Sequence, residues 1–141
     1  MHHSLAQVQL VPATREHIDA LLQIEQLSFV TNHISRRSFR RFIDHSIGDF
    51  NVALAGDKVV GYAIVLYRRA TELARLYSLA VHPDWRRQGV GKRLLEQAEC
   101  DANARHCLMM RLEVKTDNTA SIQFYHQAGY ADLEIRPEFY A

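Results

Sequence analysis

The sequence predicts a single α/β domain, residues 1–141, with a central mixed and twisted β-sheet flanked by about four helices. Three observations lead to this prediction. A chain of 141 residues suits one domain with a sizeable core. Its first half contains apolar runs separated by a short polar turn, as in an antiparallel hairpin. Its second half alternates strand patterns with helical patterns, which is typical of parallel β-α-β units.

The first strand and first helix follow from local signals. Residues 7–12 alternate weakly and end at a proline, so they are predicted to form a strand. Thr14 is the predicted N-cap of the first helix, because a threonine hydroxyl can accept a backbone N–H of the first turn. The apolar stripe of this helix has helical spacing and includes one carboxylate: Ile18, Leu21, Leu22, Ile24, Glu25 and Leu27.

The second helix is predicted to begin at Ser35 or Arg36 and to end at Gly48. Its inner side is formed by Phe39, Phe42, Ile43 and Ile47. The helix also carries a cluster of basic residues: Arg36, Arg37, Arg40 and Arg41. Such a cluster is more often a solvated helix face than a functional patch.

Three strands follow. Residues 50–55 and 59–68 are predicted strands, and the polar turn 56–58 joins them into a hairpin. Residues 73–81 form the next strand, which His82-Pro83-Asp84 terminates.

The second half contains two helices and two strands. The first of these helices has apolar positions at Val90, Leu94, Leu95, Ala98 and Ala102. Residues 108–114 alternate strictly and predict a strand whose aliphatic face is formed by Leu108, Met110, Leu112 and Val114. Residues 118–128 predict a short helix with Gly129 as its C-cap, and residues 130–135 predict the last strand.

Composition excludes several classes of function. The 17 basic and 16 acidic residues give a net charge of +1, which offers no strong electrostatic case for binding nucleic acid or an anionic membrane. Cys100 and Cys107 indicate reduced thiols in a cytoplasmic protein. No stretch has the length and hydropathy of a transmembrane span or a signal peptide. The eight histidines show no ligand spacing, so no metal site is predicted.

The most informative segment is a basic loop with two glycines between a predicted strand and a predicted helix, Trp-Arg-Arg-Gln-Gly-Val-Gly-Lys-Arg-Leu at 85–94. Backbone N–H groups at a helix N-terminus lack intrahelical partners and lie at the positive end of the dipole, so they bind phosphate groups well. Gly89 and Gly91 permit close approach and unusual backbone angles. The surrounding positive charge comes from Arg86, Arg87, Lys92 and Arg93.

The spacing in this loop distinguishes among phosphate-binding motifs. It lacks the serine or threonine of a P-loop and the third glycine of a dinucleotide fingerprint. It matches Arg/Gln-x-x-Gly-x-Gly/Ala at Arg86, Gly89 and Gly91, and so resembles the acetyl-CoA loop of GNAT N-acetyltransferases. On this string alone, a simple tight turn is the alternative.

A second string strengthens the resemblance. Residues 118–130, Asn-Thr-Ala-Ser-Ile-Gln-Phe-Tyr-His-Gln-Ala-Gly-Tyr, match the GNAT pattern Asn-x-x-Ala-x-x-Phe/Leu-Tyr-x-x-x-Gly-Phe/Tyr at the distance from the loop that the family requires, except that Ser121 stands where the pattern has Ala. The resemblance covers residues 7–140 and implies a GNAT fold with acetyl-CoA as co-substrate. The residues it assigns to acetyl-CoA are Leu79, Ala80, Val81, Arg86, Arg87, Gln88, Gly89, Val90, Gly91, Lys92 and Asn118. Asn118 is equally suited to be a helix N-cap.

The resemblance also implies an acid and a base. Tyr125 lies at the position of the family's general acid, and its alternative role is that of a core aromatic residue. Glu113, within Leu-Glu-Val, matches the base of the RimI-like branch, the ribosomal-protein N-terminal acetyltransferases. A carboxylate is costly to bury without a reason. The alternatives for Glu113 are an ion pair with Arg111 or Lys115, or an exposed strand face. Glu72 is the rival base, and a water relay could involve both.

The C-terminal segment resembles the same branch and departs from it at its end. Residues 136–140, Arg-Pro-Glu-Phe-Tyr, resemble a segment that shapes the acceptor pocket, which implies a substrate-side role for Tyr140. Family members usually continue into a seventh strand, whereas this sequence ends at Ala141. We therefore expect either a longer natural chain or a homodimer in which a neighbouring subunit fills the gap.

The expected function is transfer of an acetyl group from acetyl-CoA to a primary amine, in particular the N-terminal α-amine of a protein or peptide. One alternative is a small amine as acceptor. Another is a non-catalytic acyl-CoA-binding module, which the presence of both Glu113 and Tyr125 argues against.

Overall fold

The computed structural model describes residues 7–29, 33–45, 48–68, 72–107, 109–115, 119–130 and 134–136. Its strands and helices, in chain order, are β1 (Val8–Pro12), α1 (Ile18–Ser28), α2 (Arg36–Asp44), β2 (Gly48–Ala55), β3 (Lys58–Tyr67), β4 (Leu73–Val81), α3 (Val90–Ala104), β5 (Met109–Lys115), α4 (Thr119–Gln127) and β6 (Glu134–Arg136). Short 3₁₀ turns at Arg15–His17 and Pro83–Trp85 precede α1 and the glycine loop. The order of strands and helices is the predicted one.

The described strands form one sheet in the order β1-β2-β3-β4-β5-β6. The first four strands pair antiparallel, whereas β4 with β5 and β5 with β6 pair parallel. The prediction of a mixed sheet is therefore confirmed. β6 lies directly beside β5, with Glu113 opposite Glu134.

Helix α3 covers one face of the sheet, and a glycine allows it to approach closely. Its buried side chains are Val90, Leu94, Leu95, Ala98 and Ala102. A Cβ on Gly61 of β3 would lie 3.1 Å from Leu94 Cδ1 and 3.4 Å from Val90 Cγ1. A larger residue at position 61 would therefore require the Leu94 and Val90 side chains, or α3 itself, to shift.

Helices α1 and α2 cover the other face over β2, β3 and β4. Three buried aromatic rings form the centre of this layer. The ring centroid of Phe39 lies 5.9 Å from that of Phe50 and 5.8 Å from that of Tyr62, and those of Phe50 and Tyr62 are 6.0 Å apart. The predicted stripe of α1 is largely confirmed by the buried side chains Ile18, Leu21, Ile24 and Glu25. Leu27 lies outside it, with 48% of its surface exposed.

The prediction that Gly48 ends α2 is wrong. The helix ends at Asp44, and the N–H of His45 closes its last turn by donating to the carbonyl of Arg41. Gly48 begins β2 instead, where it pairs with Leu66. A Cβ on Gly48 would overlap the carbonyl oxygen of Val65. The glycine is therefore needed for the close approach of β2 to β3, and it does not terminate a helix.

Gly129 caps α4 as predicted, in the left-handed region at φ +99°. The Tyr130 N–H donates to the carbonyl of Tyr125 at 3.0 Å, so Tyr130 completes the helix cap. The prediction that the last strand begins at residue 130 is therefore wrong, since the strand is Glu134–Arg136.

None of the helices in the described ranges is both long and apolar enough to cross a membrane.

Candidate active site

Strand β4 changes its surroundings halfway along. Its first half pairs with β3 on one side and with β5 on the other, and the pairing with β5 ends at Leu76 opposite Leu112. Tyr77 forms a bulge, because Val65 pairs with Leu76 while the adjacent Ile64 pairs with Ser78. Beyond it, among the described strands, β4 pairs with β3 alone. Backbone groups on the open side of residues 78–81 are therefore available to a ligand.

The loop after β4 leads into the N-terminus of α3. Trp85 is buried in the 3₁₀ turn, and Gly89 is the N-cap of α3 with φ +89°, a left-handed conformation that favours glycine. Arg87 has φ +61°, which is unusual for a residue with a side chain. Gly91 has no such angle, so the expectation of unusual backbone angles holds for Gly89 and not for Gly91.

Gly91 instead lies where there is room for a Cβ but for little more. A Cβ at this position would lie 3.4 Å from the Phe124 ring and 3.6 Å from Val81 Cγ2. The first turn of α3 thus lies between the open half of β4 and helix α4. Its first N–H groups have no intrahelical acceptors, which leaves them available for an anion.

The four basic side chains of the loop are not equivalent. Arg86 Nε donates to the Val81 carbonyl at 3.0 Å, and its Nη2 donates to Ser28 Oγ at 3.2 Å. Arg93 donates to the Val8 carbonyl at 2.6 Å, so it contacts β1 instead of adding charge around the site. Arg87 and Lys92 are exposed and line a cleft. These two are the side chains best placed to approach an anionic ligand.

This cleft has a volume of about 1050 Å³ and lies between the open half of β4, the N-terminal half of α3 and α4. The predicted site residues that line it are Leu79, Ala80, Val81, Arg86, Arg87, Gly89, Gly91, Lys92 and Tyr125. Gln88 donates its amide to the Asp84 carbonyl at 3.2 Å, and the Val90 side chain is buried in the core. Both could serve a ligand through their backbone N–H groups.

Sequence reasoning missed other lining residues. They are Ser28, Phe29, Leu95, Glu96, Glu99, Gln123, Phe124, Gln127 and Ala128. A signal for those on α3 was present, because Lys92, Leu95, Glu96 and Glu99 recur at the spacing of one helix face.

Tyr125 has the core position that the sequence offered as one of its two roles, and it also lies at the cleft. It is 8% exposed and belongs to the core on the α3 side of the sheet. Its ring centroid lies 5.1 Å from that of Phe124 and 6.3 Å from that of Tyr130. Tyr125 also lines the cleft, so core packing holds its ring at the site.

The two carboxylates considered as bases lie at different ends of the sheet. Glu113 directly follows Leu112, the residue at which β5 separates from β4. Glu72 precedes β4, and its carbonyl accepts the Met109 N–H at 3.3 Å. At about 3.3 Å per residue, Glu72 lies roughly 16 Å along β4 from the level of Glu113. Asn118 and Tyr140 lie outside the described residues.

A buried polar network lies beside the bulge. Glu25 of α1 is 1% exposed, and its Oε2 accepts the Ile34 N–H at 2.8 Å. The Tyr62 hydroxyl donates to Glu25 Oε1. The oxygen of this hydroxyl also lies 2.9 Å from Ser78 Oγ. Burial and the adjacent Glu25 carboxylate raise the pKa of Tyr62 well above 10.0. The network links α1, the segment before α2 and the open half of β4; its sequence signal was the carboxylate within the α1 stripe.

Comparisons with known proteins agree with this geometry. Residues 18–130 match the model of the acetyltransferase (GNAT) family. Over 86 residues the chain is 33% identical to the [ribosomal protein bS18]-alanine N-acetyltransferase of Salmonella typhimurium, a match that covers 61% of this chain and 57% of that protein. The chain therefore spans little more than half the length of this relative.

Two solved structures share the fold. The Escherichia coli ribosomal-protein-S18-alanine N-acetyltransferase has a TM-score of 0.80 at 26% identity, covering 94% of this chain and 83% of that one. The PaiA N-acetyltransferase of Thermoplasma acidophilum, solved in complex with coenzyme A, has a TM-score of 0.81 at 19% identity, covering 88% and 89%.

Proposed function

The chain belongs to the acetyltransferase (GNAT) family, and we propose that it transfers an acetyl group from acetyl-CoA to the N-terminal α-amine of a protein or peptide. The observation that carries this proposal is one cleft that combines three features. They are the open half of β4, the uncapped N–H groups of α3 and the ring of Tyr125. Together they would supply a site for the extended pantetheine arm of coenzyme A, a site for its pyrophosphate and a proton donor.

The donor would bind along these elements in order. Its pyrophosphate would accept hydrogen bonds from backbone N–H groups of the loop and of the first turn of α3, where the helix dipole favours negative charge. Arg87 and Lys92 add exposed positive charge, and Arg86 holds the loop against β4. The pantetheine arm would lie beside Leu79–Val81, whose open backbone groups can pair with its amides. We assign Asn118 to the same arm.

The proposed reaction is direct attack. The neutral amine nitrogen forms a bond with the thioester carbonyl carbon, and the carbon–sulfur bond then breaks. Glu113 accepts the proton that the amine loses, directly or through water. Tyr125 gives its hydroxyl proton to the departing thiolate and regains one from solvent. A backbone N–H of β4 directed at the carbonyl oxygen would stabilise the developing oxyanion by about 3 kcal/mol.

Glu113 is preferred to Glu72 because of its place in the sheet. It lies one residue beyond the point where β5 leaves β4, beside the open half of β4. Glu72 is at the opposite end of that strand. A base must come within hydrogen-bond distance of the proton that it removes, directly or through one water, so a group roughly 16 Å from the level of Glu113 does not qualify.

The acceptor proposal is supported by relatives whose names specify an N-terminal alanine of a ribosomal protein. Tyr140 is proposed as a residue on the acceptor side. A small amine is the competing acceptor, since solved structures with the same fold include aminoglycoside acetyltransferases.

The proposal is tested by measuring release of free CoA from acetyl-CoA with panels of peptides and small amines. We expect turnover with peptides that carry a free N-terminus and none with the same peptides blocked by an N-formyl group. Glu113→Gln should lower kcat by about 100-fold or more, whereas Glu72→Gln should leave it within about twofold. Turnover of small amines alone would contradict the peptide acceptor, and binding of acetyl-CoA without any turnover would indicate a non-catalytic module.

A further inference from the structure

We propose that the acceptor is an acidic peptide segment, recognised by four arginines on the sheet face that lies opposite α3. This inference rests on the proposed function, because it specifies the acceptor of the same site. The four residues, called the arginine face below, are Arg37 and Arg41 of α2, Arg75 of β4 and Arg111 of β5.

The strand arginines share one face of the sheet. Ala74 and Leu76, on either side of Arg75, belong to the core against α3, and so does Leu112, next to Arg111. Arg75 and Arg111 are register partners in the parallel pair, which places their Cα atoms about 4.8 Å apart.

Helix α2 presents its arginines in two rows. One row contains Arg36 and Asp44 and contacts α1 and the 3₁₀ turn before it. Arg36 donates to Asp19 at 2.6 Å, and Arg15 donates to Asp44 at 2.8 Å. Arg37 and Arg41 are four residues apart and form the other row, because such residues lie on the same side of a helix.

The second row lies beside the strand arginines. The Arg41 guanidinium is 5.7 Å from the centroid of the Phe42 ring, and the Phe42 ring is 5.1 Å from that of Tyr77. The Arg75 guanidinium lies 5.5 Å from the same Tyr77 ring. Cations from α2 and β4 therefore flank one aromatic pair next to the bulge that opens the cleft.

The charge balance of this surface favours an anion. The arginine face contributes four positive charges, and the acidic residues nearest to it along β4, β5 and β6 are Glu72, Glu113 and Glu134. Two further basic residues, Lys115 and Arg136, pair with each other two positions beyond Glu113 and Glu134. Arg75 and Arg111 also make contacts within the protein, so the net charge of the face carries the inference rather than any single side chain. Clustered guanidinium groups of this kind recognise carboxylates.

The position of the face specifies which acceptor residues would carry the charge. Arg111 lies two positions before Glu113 on β5, a separation of about 7 Å along a strand. An amine delivered to Glu113 would place the second to fourth residues of an extended peptide within reach of the arginine face. We therefore expect aspartate or glutamate at these positions.

The experiment compares three peptides that share an N-terminal alanine and differ only at residues two to four, which are all glutamate, all glutamine or all lysine. We expect kcat/KM to fall in that order, with about a tenfold difference between the glutamate and glutamine peptides, mainly through KM. Raising the ionic strength from 0.05 M to about 0.5 M should reduce this preference, because salt screens exposed charges.

Charge reversal distinguishes recognition from structural effects. Arg111→Glu and the double variant Arg37→Glu/Arg41→Glu should lose the preference for the glutamate peptide and gain activity on the lysine peptide, with the KM for acetyl-CoA unchanged. Lys58→Glu is the matched control, because it makes the same charge change on an exposed residue at the β2–β3 turn and should preserve the preference. Equal kcat/KM for the three peptides, or a preference for lysine in the unmodified protein, would overturn this inference and leave the proposed function intact. Acetylation of small amines alone would overturn both.

Discussion

The two halves of β4 are parts of one strand in different surroundings. Residues 74–76 have a paired strand on each side, and Ala74 and Leu76 are buried in the core against α3. Residues 78–81 keep β3 as neighbour and lie beside the cleft. Tyr77 separates the halves as a bulge. The first half thus contributes to stability, while the second offers backbone groups to a ligand.

The difference shows how a sheet can hold a binding site without losing its core. The open half of β4 is supported from the side opposite the cleft, where Ser78 lies 2.9 Å from the Tyr62 hydroxyl and Ala80 packs with the aromatic layer. It is also supported from its end, where Arg86 donates to the Val81 carbonyl. Contacts of this kind replace the missing strand neighbour and keep the backbone groups in place.

The largest expected effect comes from filling the space beside the open half. Gly91→Val would place methyl groups where a Cβ alone already lies 3.4 Å from the Phe124 ring and 3.6 Å from Val81 Cγ2. We expect calorimetry to detect no binding of acetyl-CoA, while circular dichroism shows a retained fold. Gly91→Ala is the matched control, because its one methyl group would make ordinary van der Waals contacts at an ordinary φ, so it should keep most of the affinity for acetyl-CoA. Unchanged affinity in a folded Gly91→Val protein would mean that the donor lies elsewhere.

The same substitution in each half of β4 provides a matched comparison. Leu76→Ala removes a side chain that is 4% exposed, so it should lower the free energy of unfolding by about 3 kcal/mol. Leu79→Ala lies in the cleft wall and is only partly buried, so it should cost less than half as much stability and instead weaken acetyl-CoA binding. Urea unfolding and calorimetry measure the two effects. If both variants lost the same stability and neither lost affinity for acetyl-CoA, the assignment of the first half of β4 to stability and of the second half to binding would be contradicted.

Much of this arrangement could be predicted from local sequence. The apolar run at residues 73–81 and the His82-Pro83-Asp84 that follows it predicted the limits of β4, and the glycine loop predicted the beginning of α3. Local patterns succeeded there because burial of one face dictates their period. The bulge at Tyr77 could not be predicted, since it depends on which residues of β3 oppose it. The divergence of β4 and β5 is likewise a property of two segments far apart in sequence.

Side-chain partners were harder to predict than backbone elements. Arg86, Arg87 and Arg93 look equivalent in the sequence, yet Arg86 contacts Val81 and Ser28, Arg93 contacts Val8 and Arg87 lines the cleft. The end of α2 was misplaced because Gly48 is typical of both a helix end and a close strand contact. These outcomes depend on contacts over long sequence distances, which composition and periodicity do not encode.

A smaller effect is expected from the proton donor at the open half. Tyr125→Phe removes one hydroxyl and keeps the ring that packs against Phe124 and Tyr130. We expect kcat to fall by about 100-fold, equivalent to about 2.7 kcal/mol, with little change in affinity for acetyl-CoA. Tyr67→Phe is the control, because it removes a hydroxyl that contacts Asp49 away from the cleft and should leave kcat unchanged. Normal turnover of Tyr125→Phe under conditions where chemistry limits the rate would leave Tyr125 with its packing role alone.

The smallest effect concerns the support behind the open half. Tyr62→Phe removes the hydroxyl that contacts Glu25 and Ser78, so it should lower the free energy of unfolding by about 1–2 kcal/mol at neutral pH. Because the pKa of Tyr62 is raised above 10.0 in the folded protein, the unfolded chain releases this proton first as pH rises. The stabilisation by Tyr62 is therefore complete below pH 10 and declines above it, so the stability difference between the unmodified protein and Tyr62→Phe should shrink from pH 10 upward. Ser78→Ala removes a contact of the same network without removing a titratable group, and its stability difference should change less with pH. A constant difference for Tyr62→Phe between pH 8 and pH 11 would show that the buried hydroxyl does not couple to folding in this way.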